Sequence, residues 1–122
     1  MSRIQVRKEI VATLVTLVTP KKWKVILIQE SKIEKRLKKE VEKIGGKALK
    51  FVSPGLIGVP DRIVLLPHGK MIFVELKAPG KKLEVIQDFR AKQLRKLGFN
   101  VKCIDSIEGI MELIKEVKGN EV

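Results

Sequence analysis

From residue 30 onward, apolar and polar positions alternate in periods that spell out elements. Ile33, Leu37, Val41 and Ile44 recur at helical spacing with lysines between them, and Gly45-Gly46 stops the run. Residues 47–52 read as a short strand and 53–60 as a Gly/Pro-rich loop. Residues 62–66 and 71–77 read as two strands joined through Pro67-His68-Gly69-Lys70. Ala78-Pro79-Gly80 breaks the chain, 83–97 reads as a helix ended by Gly98, and 99–104 as a strand. Asp105 with Glu108 reads as a capping box for a last helix, whose apolar stripe is Ile107, Ile110, Met111, Ile114 and Val117. The expected order is αβββαβα, an α/β domain over residues 30–122.

Residues 1–29 have a different texture. Two β-branched runs, 10–18 and 23–28, flank Pro20-Lys21-Lys22, which reads either as a β-hairpin or as a loosely attached extension. Arg3, Arg7 and Lys8 before an apolar run copy the start of a signal peptide, but Glu9 interrupts it and no small-x-small cleavage site follows. No apolar stretch reaches membrane-spanning length. Cys103 is the only cysteine, which excludes an internal disulfide and a zinc finger, and the expected compartment is the cytoplasm.

Charge narrows the class of partner. Lysine and arginine number 26 against 14 acids, a formal net charge of +12. Such an excess suits nucleic acid, an anionic surface, or a generally lysine-rich protein. Trp23 and four phenylalanines, with no tyrosine, make a poor stacking platform for single strands.

Against this basic background one constellation of acids stands out. Gly58-Val59-Pro60-Asp61 is followed fourteen residues after Asp61 by Glu75-Leu76-Lys77. Strand alternation places Glu75 and Lys77 on one face, with Ile72, Val74 and Leu76 on the other. If Pro67-His68-Gly69 forms a three-residue loop with Gly69 left-handed, Leu66 pairs with Lys70 and Asp61 falls opposite Glu75. Cβ atoms of such pairs lie about 5 Å apart, and two carboxylates so placed repel unless a cation sits between them. A four-residue loop would shift that register. A purely structural reading makes Asp61 a turn cap and Glu75–Lys77 a solvated ion pair. His68 reads as a turn residue, Cys103 as a buried strand residue, and Gln87 as an amide one turn into the second helix.

These residues resemble a known family. Glu30–Glu34, Gly58-Val59-Pro60-Asp61-Arg62, Phe73 through Gly80, Gln87 and Gly98 are similar to the virus-type replication–repair nuclease (VRR-NUC) domain of the PD-(D/E)XK superfamily, over about residues 30–117. The resemblance implies a restriction-endonuclease-like core, a central mixed sheet flanked by helices. It implies that Asp61, Glu75 and the Leu76 carbonyl hold Mg²⁺ or Mn²⁺, that Lys77 positions and deprotonates the attacking water, and that Gln87 completes the site. A further acid is expected on the first helix. Glu30 matches the family's Glu-x-x-Ile opening, and Glu34 matches the spacing of related junction resolvases. Ser31-x-x-Glu34 also reads as a capping box.

The implied activity is metal-dependent, structure-specific DNA cleavage, including Holliday-junction resolution by a homodimer, with no small-molecule cofactor and no membrane. The resemblance alone suggests a phage origin. The alternative is a nucleic-acid-binding module that keeps the fold without the chemistry. Lys35, Lys38, Lys39 and Lys43, with Lys81, Lys82, Arg90, Lys92 and Arg95, are expected to meet phosphates. Taken singly, each reads as part of a solvated helix face.

Overall fold

A computed structural model describes residues 21–119, with side chains from residue 29 onward. The elements are α1 (Lys21–Lys43), β1 (Lys47–Lys50), β2 (Arg62–Leu66), β3 (Lys70–Leu76), α2 (Val85–Lys96), β4 (Asn100–Ile104) and α3 (Ile107–Gly119). The expected order αβββαβα is the observed one. The sheet runs β1-β2-β3-β4, antiparallel up to β3 and parallel between β3 and β4, so it is mixed.

Each face of the sheet has its own core. Val64, Ile72, Val74 and Leu76 pack with Ile33, Leu37 and Val41 of α1 and with Ile110, Leu113, Ile114 and Val117 of α3. Burying each of these aliphatic side chains is worth about 1.5–3 kcal/mol, which fixes both helices on this side. Phe73 and Val101 point the other way, against Ala91 of α2, with Ile63, Leu83 and Leu94 half-buried around them. Glu75 lies on the face of Phe73 by alternation, so the acid sits beneath α2.

Four local expectations change. α1 begins at Lys21, immediately after Pro20 in the sequence, so residues 23–28 are helical and cannot be the second limb of a hairpin. The first limb, 10–18, lies outside the described residues. Ser31 is consequently mid-helix, and Ser31-x-x-Glu34 is no cap. The last helix is capped by Ser106, whose Oγ accepts the Gly109 N–H at 3.0 Å. Asp105 instead accepts the Gly80 N–H at 3.2 Å. β1 also stops at Lys50, two residues before its expected end.

Candidate active site

The hairpin turn sets the register. Pro67–Gly69 form a tight turn in which His68 at φ 67° and Gly69 at φ 74° are both left-handed, and Leu66 pairs with Lys70. From there the ladder runs to Arg62 opposite Val74, so Asp61 meets Glu75 one step beyond the last pair. At that end the carboxylates take over from the backbone ladder. The Asp61 N–H donates to Glu75 Oε2 at 2.9 Å, and the Leu76 N–H donates to Asp61 Oδ1 at 3.2 Å. Each acid thus holds the other's strand, and both head groups are drawn to one spot.

Two more of the expected residues join them. Gln87 Nε2 donates to Glu75 Oε1 at 2.9 Å, and Lys77 Nζ lies 3.7 Å from the same oxygen. Gln87 has a second role, because its Oε1 accepts the Glu84 N–H at 3.0 Å and closes a capping box at the start of α2. The orientation of Gln87 is therefore set by the helix terminus as well as by the acid.

Glu75 is only 7% exposed. Burial, and next the neighbouring charge of Asp61, push its carboxyl from 4.5 up to about 7, against the pull of the Asp61 N–H and the Lys77 ammonium. A buried acid facing another acid carries a repulsion that its hydrogen-bond donors only partly offset. Among the described residues no cluster of three or more His, Cys, Asp or Glu side chains forms a ready cage.

Arg62 belongs to the quoted motif but carries no role of its own in the sequence reading. Arg62 Nη1 donates to the Asp61 carbonyl at 3.0 Å and to Asp61 Oδ2 at 3.1 Å, while Nη2 lies 3.1 Å from Glu34 Oε2. Lys50 also approaches Glu34, at 3.6 Å. The charge of Glu34 is thus committed to two cations. Glu30, half-buried, sits one turn earlier on the same side of α1, and no ion pair to it is found among the described residues. The signal for Arg62 was its place directly after Asp61 in a strand, which turns it to the α1 face.

The expected phosphate contacts divide. Lys35, Lys38, Lys39, Lys81 and Lys82 are exposed. Arg90 is buried at 8% exposure, with Nε donating to the Ile57 carbonyl at 3.0 Å and Nη1 to Gln93 Oε1 at 2.6 Å. It ties the β1–β2 loop to α2, so its guanidinium is spent on structure. Arg95 donates to the Val101 carbonyl at 2.8 Å, Lys92 pairs with Asp88 at 2.9 Å, and Lys43 pairs with Glu40 at 3.2 Å. Cys103, expected to be buried, is exposed beside Glu75 in the β3–β4 register. No described helix is long and apolar enough to cross a membrane.

A mixed sheet between helices, with two acids, a lysine and an amide gathered at one end of its central hairpin, is the layout of an α/β nuclease. No family model matches the chain. Over 80 residues it is 58% identical to "Putative nuclease p44" of Acyrthosiphon pisum secondary endosymbiont phage 1, a match covering 66% of this chain and 86% of the phage protein. A solved VRR_NUC domain superposes with a TM-score of 0.67 at 33% identity, covering 71% of this chain and 95% of that domain. The chain belongs to the VRR-NUC nuclease family.

Proposed function

We propose that this nuclease is a divalent-metal-dependent DNA endonuclease and that Asp61, Glu75, Lys77 and Gln87 form its active site. The observation that carries the reading is the reciprocal clamp between Asp61 and Glu75, which brings two carboxylates together where packing alone would keep them apart. The donor set suits Mg²⁺ or Mn²⁺. Hard carboxylate oxygens with two negative charges match a divalent ion, and the Leu76 carbonyl lies next in the chain. The raised Glu75 carboxyl supports the same fit, because a cation would relieve the repulsion that pushes it up. When bound, the ion would polarise the phosphate and lower the pKa of the attacking water.

The chain's own groups have separable tasks. Lys77, with its ammonium on the Glu75 side of the sheet, places positive charge where the phosphorane's charge develops and steadies the nucleophilic water. Gln87 fixes the rotamer of Glu75. Arg62 fixes Asp61 from the opposite face. Glu30, whose charge is not committed to Arg62, is the better candidate than Glu34 for the additional acid.

A nicking assay on supercoiled DNA with and without Mg²⁺ tests the assignment. Asp61→Ala and Glu75→Ala are each expected to lower cleavage by about 10²–10³-fold or more while DNA affinity stays within a few-fold. If both variants cut as well as the parent, the acids have been misassigned. Cleavage by no form of the protein, with DNA binding intact, would leave a binding module.

The preferred substrate is branched DNA cut by a homodimer, whose two-fold axis would present one site to each of two strands. Matched four-way, flap, single-stranded and linear substrates read out the preference. A monomer in gel filtration at micromolar concentration would count against symmetric cutting of junctions.

A further inference from the structure

Beside the acid pair lies an open cleft of about 550 Å³, bordered by Lys81, Lys82, Leu83, Val85, Asp88 and Asp105. Its volume falls in the range of about 300–1,000 Å³ typical of sites for small organic groups. It adjoins the catalytic end directly, since Leu83 and Cys103 border both this cleft and the space around Glu75 and Gln87. None of its residues is needed to hold Asp61 or Glu75 in place.

The walls differ in chemistry. Val85 is 90% exposed although it opens a helix whose other face is packed, and Leu83 is half-buried beside it. Lys81 and Lys82 are exposed at the rim. The less exposed polar positions are acids: Asp88, paired with Lys92, and Asp105, which holds the Gly80 N–H. A phosphate against Asp88 or Asp105 would meet a carboxylate, so this wall of the cleft does not suit an anion. A nucleobase fits it better, with an apolar face for Leu83 and Val85 and amino groups for an acid to accept from. The lysines at the rim match the phosphate that must accompany that base.

Resting on the nuclease reading above, we infer that this cleft seats one unstacked nucleotide of the DNA next to the cleavage site. Such a seat gives a structural basis for preferring branched or distorted DNA. An unpaired base reaches it at little cost, whereas a paired base must first be pulled from its stack. Selectivity then comes from the ease of extruding a base and not from reading its identity.

The test uses three duplexes of equal length, with the protein in Ca²⁺ in place of Mg²⁺ and binding followed by fluorescence anisotropy. One duplex is fully paired, one carries a single unpaired nucleotide, and one carries an abasic residue at that position. The unpaired nucleotide is expected to tighten binding by about tenfold over the paired duplex, and the abasic residue to lose that gain. Val85→Ser should reduce the gain to under about threefold while leaving affinity for the paired duplex within about twofold. Val85 is too exposed for this change to threaten the fold, which circular dichroism checks. Equal binding of abasic and base-bearing DNA, or an undiminished gain in Val85→Ser, overturns the seat. If those results accompany normal Mg²⁺-dependent nicking, only the seat falls. If no duplex is bound or cut, the nuclease reading falls with it.

Discussion

Glu75 carries a proton-linked cost that can be measured without any substrate. In the metal-free protein its carboxyl is raised from 4.5 to about 7, chiefly by burial and then by Asp61. Between those values the folded chain holds a proton that the unfolded chain has released. The linkage slope is therefore negative, and stability falls as pH rises through the window, then levels off above about 7. A shift of this size corresponds to a contribution on the order of 3 kcal/mol. Thermal melts in EDTA from pH 5 to 8 should show a fall that Glu75→Gln flattens. At pH 8, Mn²⁺ should raise the melting temperature of the parent and leave Glu75→Gln unmoved. A parent melt indifferent to both pH and Mn²⁺ would mean that the acids do not share a cation. Gln87 offers a second probe, because its amide nitrogen serves Glu75 and its oxygen serves the helix cap. Gln87→Glu keeps the acceptor for the Glu84 N–H but replaces a donor with a third negative charge. Its EDTA melt should drop more steeply between pH 5 and 8 than the parent's, with the cap intact.

The β1–β2 loop delivers Asp61, and its anchor is a backbone contact with α2. Gly58 has φ +82°, and a Cβ there would lie 2.7 Å from the Ile86 carbonyl oxygen. Arg90 holds the preceding carbonyl, that of Ile57. Gly58→Ala must therefore adopt an unfavourable φ and push the loop off α2, at a cost of about 1–3 kcal/mol. Urea denaturation should show that loss, and nicking should fall with it because Asp61 moves. The loop also shows why part of the site was legible in the sequence. The hairpin register followed from Gly69 and strand alternation, which depend on neighbours in the chain, so Asp61 opposite Glu75 could be counted out. Gly58 was visible as part of a motif, but the reason for it, the approach of Ile86, spans 28 residues of sequence. Arg90 read as a surface cation because helical spacing does not reveal a carbonyl arriving from another loop. The start of α1 was misplaced for a similar reason. Val- and Ile-rich residues 23–28 have strand-like propensity, yet nothing after Pro20 breaks a helix that is already anchored by Leu37 and Val41.

Net charge of +12 draws DNA to the whole surface, but the layered fold separates the basic residues into two unequal groups. Leu37 and Val41, both fully buried, define the inward face of α1. Lys35 and Lys39 lie two positions from Leu37, about 200° around the helix, and so face away from the sheet. Moreover, α1 covers the sheet face of Val74, whereas Glu75 and Gln87 belong to the opposite face under α2. Lys81 and Lys82 are on that second side, at the end where Glu75 lies. A duplex with its scissile phosphate at Glu75 can lie against Lys81 and Lys82, but it would have to turn around the sheet edge to reach Lys35 and Lys39. Lys38 is intermediate, one turn after Glu34 on the side that reaches Arg62. Each phosphate contact contributes about 0.9 to the slope of log affinity against log salt. Reversing Lys81 and Lys82 together to Glu should therefore weaken binding at low salt and reduce that slope by about 2. The same change at Lys35 and Lys39 removes equal charge from the molecule but should shift the slope by less than about 1. Titrations of one labelled duplex from 50 to 200 mM salt, about the range over which such contacts are read, distinguish the two pairs. Equal effects from both would mean that DNA is held by the overall field of the protein, without a preferred face.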